Sequence, residues 1–141
     1  MKRLWSPWRM AYVSAEKQDG CVFCDIQTGE QADQDALILY RGTHAMVVMN
    51  KYPYTNGHLM VVPLLHTDTP TALDADALLE MAQLVNDSLT ILRQVLRADG
   101  FNVGMNLGSS AGAGIEQHIH MHIVPRWTGD TNFMSVFSDT R

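Results

Sequence analysis

Between residues 37 and 63 the apolar side chains fall in three short runs separated by turn residues. Leu37–Tyr40, Ala45–Asn50 and His58–Pro63 are of strand length and rich in Leu, Ile, Val and Met. Gly42-Thr43-His44 is a hairpin-type link between the first two, with His44 as a turn residue. Lys51–Gly57, with Pro53 and Asn56-Gly57, is the turn before the third. From Asp74 to Asp99 the period changes. Leu78, Met81, Val85, Leu89, Leu92 and Leu96 recur at steps of three and four, the stripe of a long amphipathic helix. Asp74 and Asp76 favour its N-terminal end, and Gly100 is predicted as its C-cap. Phe101–Leu107 then reads as a strand, Gly108–Gly114 as a loop, and Gln117–Val124 as a strand stopped by Pro125. Three strands, a helix, a strand, a loop and a strand predict an α+β fold, an antiparallel sheet of about five strands with the long helix on one face.

Composition narrows the class. The chain has 141 residues, 46% hydrophobic and 18% charged, which excludes a disordered chain and suits one domain spanning residues 1–141. Residues 1–20 carry Trp5, Trp8 and Tyr12 around Pro7 and are expected to be an aromatic arm on a core of residues 21–141. No run approaches the roughly 20 apolar residues of a membrane span. Met1-Lys2-Arg3 runs directly into Trp5-Ser6-Pro7-Trp8 without an apolar h-region, so no signal peptide and a cytoplasmic location are expected. A net charge of −5 argues against a nucleic-acid partner but leaves room for a small anionic substrate. The two cysteines, Cys21 and Cys24 in C-V-F-C, are too few for a disulfide framework. In a reducing compartment they read as a metal half-site or a redox pair.

The candidate chemistry lies in Gln117–Val124, Q-H-I-H-M-H-I-V. Strand side chains alternate faces, so His118, His120 and His122 share one face at spacings of about 6.6–6.8 Å, and Ile119, Met121 and Ile123 take the other. Three imidazoles on one face fit a catalytic metal site, or covalent catalysis in which one ring attacks and its neighbours orient and protonate; a plain polar face is the uninformative alternative. The loop Asn106-Leu-Gly-Ser-Ser-Ala-Gly-Ala-Gly114 precedes them, and its glycines let backbone amides converge on an anion. Beside an imidazole nucleophile this suggests phosphoryl or nucleotidyl transfer.

The run His118-Ile-His-Met-His-Ile-Val124 resembles the signature of the histidine triad superfamily of nucleotide hydrolases and transferases. Cys21-Val-Phe-Cys24, Asn50-Lys-Tyr-Pro53, Gly57-His58-Leu-Met-Val-Val-Pro63 and His66 fall where that family has counterparts. Leu4-Trp-Ser-Pro-Trp-Arg9 and the segment Pro125–Phe133 are similar to diadenosine tetraphosphate phosphorylase-like members. Ala113-Gly-Ile-Glu-Gln117 departs from the Gly-Gln-Ser or Gly-Gln-Thr of many relatives.

The resemblance implies roles. His120 is the nucleophile on the α-phosphorus of a diadenosine polyphosphate, with its tautomer held by a backbone carbonyl, and His122 stabilises charge beside the phosphate. His118 serves the triad and also a structural zinc, with Cys21, Cys24 and His66. Asn50 contacts the ribose, or else simply starts a turn. His58 supports the triad from the adjacent strand, or is a buried, satisfied histidine. Asn106, Ser109, Ser110, Gly112 and Gly114 cradle phosphate oxygens, and Trp127 either stacks on a base or packs. Gly108–Gly114 and Arg126 are the expected donors for an incoming phosphate. A nucleoside phosphoramidase, a nucleotide-binding protein with low turnover, and a zinc hydrolase holding metal on the three histidines are the other readings. A homodimer is expected by the same resemblance.

Overall fold

The computed structural model describes residues 7–14 and 19–130. Leu4–Ser6, Asn132 and Phe133, which carry part of the resemblance, lie outside them. Five strands, β1 (Ile38–Arg41), β2 (Ala45–Met49), β3 (Leu59–Pro63), β4 (Gly100–Gly104) and β5 (Met121–Arg126), form one antiparallel sheet in the order β1-β2-β3-β5-β4. The helices are α1 (Met10–Ser14), α2 (Val22–Thr28) and α3 (Ala75–Leu96). The predicted α+β architecture is the one observed. No helix among the described residues is long and apolar enough to cross a membrane.

The period of two in β2 and β3 divides the interior into two layers. Ala45, Val47, Leu59 and Val61 face α3 together with Ile119 and Ile123. Met46, Val48, Met60 and Val62 face the opposite side, where Phe23 of α2, Ala36 and Ile38 cover them. His122 pairs across the ladder with Met60, which places the candidate chemistry in the α2 layer and leaves the α3 layer purely structural.

Four expectations are corrected. Leu78 is 45% exposed, and α3 instead buries Ala77, Met81, Leu84, Ser88 and Leu92. The contact line is rotated toward Ala77 and Ser88 because small side chains let the helix approach the sheet, a signal that hydrophobic counting undervalues. Gly100 does not cap α3. Asp74 is the N-cap, accepting from the Ala77 amide at 2.8 Å, but Arg97 ends the helix in the left-handed region at φ 51° and Gly100 opens β4. The fourth strand ends at Gly104 rather than Leu107. The fifth begins at Met121 rather than Gln117, and Pro125 lies inside it, opposite Phe101. Pairing of β5 with β3 stops at Ile123, and the Pro125 carbonyl accepts from Thr55 Oγ1 at 3.0 Å. The missing N–H of Pro125 therefore points where no strand remains to receive it.

Two close approaches fix the loops around the sheet. Gly57 has φ +79°, and a Cβ there would come within 2.3 Å of Leu96 Cδ1, so the turn entering β3 needs glycine to pass the end of α3. On the β1–β2 link, Glu80 of α3 accepts from the amides of Thr43 at 2.9 Å and Ala45 at 2.8 Å, and from that of His44. A Cβ on Gly42 would sit 2.6 Å from Glu80 Oε1. Partial burial raises the Glu80 carboxyl, but the three amide donors and the nearby His44 outweigh it and hold the group below its ordinary value of 4.5. A depressed carboxylate stabilises the fold above its unfolded pKa, and that stability is lost as pH falls through the lower folded value. Glu80→Ala is therefore expected to cost about 1–3 kcal/mol in urea unfolding at pH 7. The gap from the parent protein should close as the pH is taken well below 4.5.

Candidate active site and metal cluster

Cys21 is the N-cap of α2, in extended backbone just before the helix, and the helix carries Cys24 one turn on. The two sulfurs meet His66, which follows β3, and His118, which precedes β5. Their ligand atoms all lie within 4.8 Å of one another. His118 Nδ1 is 3.3 Å from Cys21 Sγ, 3.6 Å from Cys24 Sγ and 3.3 Å from His66 Nδ1, and Cys24 Sγ is 3.3 Å from His66 Nδ1. His118 Nε2 donates to the Pro63 carbonyl at 2.8 Å, so its Nδ1 bears a lone pair aimed into the cluster. Zinc bonds of about 2.3 Å to sulfur and about 2.0–2.1 Å to nitrogen give tetrahedral edges of about 3.3 Å between nitrogens and about 3.5 Å from sulfur to nitrogen. The donor set fits a closed Cys2His2 site. Without a cation the Cys24 thiol is pushed up, by burial first, then by Cys21 and Asp25.

The three histidines do not act as one strand face. His118 lies in the metal cluster and outside the candidate cavity. The segment before β5 is tied instead through the Ile119 amide to the Thr67 carbonyl at 2.8 Å. The alternation survives, with Ile119 and Ile123 in the α3 layer and the histidines in the other. His120 Nδ1 lies 3.0 Å from the His118 carbonyl; it must donate to that oxygen, which leaves the lone pair on Nε2. His120 is 8% exposed, and burial pulls its pKa below the ordinary imidazole value against the opposing effect of that hydrogen bond. Phe23, between the two cysteines, meets the His120 ring at 5.0 Å and the His118 ring at 5.4 Å.

A relay of partners sets the proton on His122. The Tyr54 amide donates to His58 Nδ1 at 3.1 Å, so the His58 proton is on Nε2. His58 Nε2 then donates to His122 Nδ1 at 2.9 Å, which leaves the His122 proton on its own Nε2. The 3.5 Å approach of Asn50 Nδ2 to His58 Nε2 accordingly sets two donors face to face and is no hydrogen bond. The His120 and His122 rings lie edge to face at 4.7 Å. An Nε2 lone pair and an Nε2–H donor thus stand on neighbouring rings.

Both rings line a cavity of about 510 Å³, within the roughly 300–1,000 Å³ usual for small-molecule sites. Val22, Phe23 and Ile26 of α2 form an apolar wall with Leu37, Val48 and Met60. Asn50, Asn106, Gly112 and Gly114 also line it, so the structure brings these four sequence-predicted residues together with His120 and His122. His58 stands behind His122, buried and stacked at 5.1 Å on Tyr54.

Several predicted contacts fall elsewhere. Ser109 and Ser110 are exposed in a short 3-10 turn and do not line the cavity. The amides of Ala111, Gly112 and Ala113 close that turn on the Gly108 and Ser109 carbonyls and are spent as anion donors. Trp127 is outside the cavity, its Nε1 donating to the Leu96 carbonyl at 3.4 Å, so it packs on the end of α3. Arg126 is buried, donating to Asp130 and Asn102 at 2.7 Å each. The described residues offer a metal the Cys21, Cys24, His66 and His118 group, and no such group forms from His118, His120 and His122. Sequence reasoning missed Phe23, whose aromatic ring between two candidate ligands was a usable signal. It also missed the Pro63 carbonyl and the Tyr54 amide, backbone groups that no residue type advertises.

A family model described as HIT domain matches residues 31–129. A protein of Mycobacterium tuberculosis named AP-4-A phosphorylase is 35% identical over 150 aligned residues, covering 100% of this chain and 76% of its own. The adenylylsulfatase HINT3 of Arabidopsis thaliana is 32% identical over 117 residues, covering 80% of this chain and 55% of its own. A crystal structure of a zinc-bound histidine triad family protein from Mycobacterium smegmatis superposes with a TM-score of 0.69 at 32% identity, covering 86% of this chain and 82% of that one. Fold, histidine arrangement and sequence agree, and the chain belongs to the HIT domain family.

Proposed function

We propose that the protein is a nucleotidyl hydrolase or transferase that cleaves the α-phosphate anhydride of a diadenosine polyphosphate, such as diadenosine tetraphosphate, through a nucleotidyl intermediate on His120. The observation that carries the reading is the tautomer pair at the cavity wall. The His118 carbonyl keeps the lone pair of His120 on Nε2, and the His58 relay keeps the proton of His122 on Nε2. The 35% identity to AP-4-A phosphorylase along the whole chain supports the substrate class. The base and ribose lie against the apolar wall and Asn50. His120 Nε2 attacks the α-phosphorus, the bond to the bridging oxygen breaks with its electron pair on the leaving phosphate, and His122 donates to the developing charge. Water or inorganic phosphate then attacks the same phosphorus, and the electron pair of the P–N bond returns to His120. The protein acts as a homodimer in a reducing cytoplasm.

Cys21, Cys24, His66 and His118 would hold a structural zinc. When bound, it cross-links α2 to the segments beside β3 and β5 and supplies no reactive group. Because α2 furnishes Val22, Phe23 and Ile26 to the cavity wall, loosening the cluster frees both the wall and the residue whose carbonyl orients His120.

Four outcomes test this reading. His120→Ala should lower turnover of diadenosine tetraphosphate by about a thousandfold or more while nucleotide affinity is retained. Mass spectrometry of the parent protein quenched during turnover should find one adenylyl group on His120; absence of the adduct with full activity would remove the covalent intermediate. Protein purified without chelator should contain one zinc per chain by elemental analysis, and Cys21→Ser should lose it, melt at a lower temperature and show a raised KM. Phosphorolysis is the fourth expectation: added phosphate should shift the second product from AMP to ADP. Water outnumbers millimolar phosphate by about four orders of magnitude, so this selectivity requires about 5–6 kcal/mol of differential barrier. An ADP:AMP ratio indifferent to phosphate would make the enzyme a plain hydrolase.

A further inference from the structure

A cavity that takes a polyphosphate chain needs counter-charge, and the expected guanidinium and several of the expected amides are engaged elsewhere. Arg126 is buried against Asp130 and Asn102, and three amides of the glycine loop close their own turn. Among the described residues lining the cavity, Lys51 is the one lysine or arginine, while Asp35 adds a carboxylate to a chain of net charge −5. Lys51 is well placed to act. The preceding Asn50 is fixed at both ends, its amide donating to the His58 carbonyl at 3.0 Å and its Oδ1 accepting from the Tyr52 amide at 2.8 Å. The chain therefore leaves the His58–His122 pair at a set point. Lys51 Nζ lies 5.8 Å from the centroid of the Tyr52 ring, which also lines the cavity. The ion pairs found among the described residues, Arg41–Asp33 and Arg126–Asp130, leave Lys51 out.

We propose that Lys51 selects for phosphates beyond the α-phosphorus, countering the charge of the leaving polyphosphate in the first step and of the incoming phosphate in the second. The acceptor half rests on the reaction proposed above. In the first step the His120 Nε2–P bond forms as the P–O bond to the β-phosphate breaks, and the electron pair leaves on that oxygen. In the second, an acceptor oxygen enters along the line the leaving oxygen took, and the P–N electron pair returns to Nε2. In phosphate the attacking oxygen is already an anion, whereas water must give up a proton to a neighbouring base. An ammonium on the cavity lining favours the anion over water and a long phosphate chain over a short one.

The test compares the parent protein with Lys51→Ala and Lys51→Arg in two measurements. Calorimetric titration gives the affinity ratio for ATP over AMP, which needs no turnover. In Lys51→Ala this ratio should fall by about three- to tenfold, with a smaller effect at high salt, while Lys51→Arg retains it. Product analysis of diadenosine tetraphosphate at fixed phosphate should show a lower ADP:AMP ratio in Lys51→Ala and recovery in Lys51→Arg. Equal changes in ATP and AMP affinity would overturn the assignment of Lys51 and leave the reaction standing. A lowered affinity ratio with an unaltered ADP:AMP ratio would overturn the acceptor role. A parent protein that binds ATP over AMP through Lys51 but makes no product would overturn the reaction and keep Lys51 as the phosphate-chain site.

Discussion

His118 is fully buried and commits three polar groups to three parts of the chain. Nδ1 faces Cys21, Cys24 and His66; Nε2 donates to Pro63 at the end of β3; and the carbonyl takes the proton of His120. These commitments depend on one another. The bond to Pro63 decides that Nδ1 presents a lone pair to a cluster that could hold a metal ion. The ring so anchored holds its own backbone, and that backbone decides which nitrogen of His120 carries the lone pair. A neutral imidazole has one proton to place, and each placement here is made by a neighbour that has no choice.

The cavity inherits its shape from the same arrangement. α2 is seven residues long, too short to be stable by itself, and it covers the sheet through Phe23 and the two cysteines. Phe23 is both a core residue, 2% exposed, and the ring against His120, so packing and chemistry cannot be separated at that position. The α3 layer on the other face carries none of this burden. It keeps the sheet rigid and, through Glu80, closes the β1–β2 link by giving three amides a common acceptor. That division leaves the cavity apolar on the α2 side, with Lys51 the one lysine or arginine among the described residues lining it.

Much of this was legible in the sequence because it depends on local periodicity. The continuous apolar runs Ala45–Asn50 and His58–Pro63, steps of three and four from Leu78 to Leu96, and the histidines at 118, 120 and 122 point to the sheet, the helix and the candidate chemistry, since local pattern and burial are linked by backbone geometry. Cys21 and Cys24 announced a metal half-site for the same reason: two thiols on one turn point one way. What failed was whatever depends on partners far along the chain. Leu78 faces solvent because the closeness of helix to sheet favours Ala77 and Ser88. Pro125 continues its strand because β3 ends two positions earlier. Trp127, Arg126, Ser109 and Ser110 have suitable side chains but lie outside the cavity.

The sequence by itself determined which residue types line each face of a strand and that Cys21 and Cys24 sit one turn apart, because spacing along a strand or a turn is set by covalent geometry; His66 and His118 joined them only through the family resemblance. Only the tertiary structure decided how the three histidines divide their work. A ring nitrogen takes its role from the atom opposite it, and those atoms are the Pro63 carbonyl, the His118 carbonyl and the Tyr54 amide. Two of the three belong to residues 55 and 68 positions away from the histidine they govern, directly or through His58, and a backbone group carries no residue-type signature by which sequence could find it.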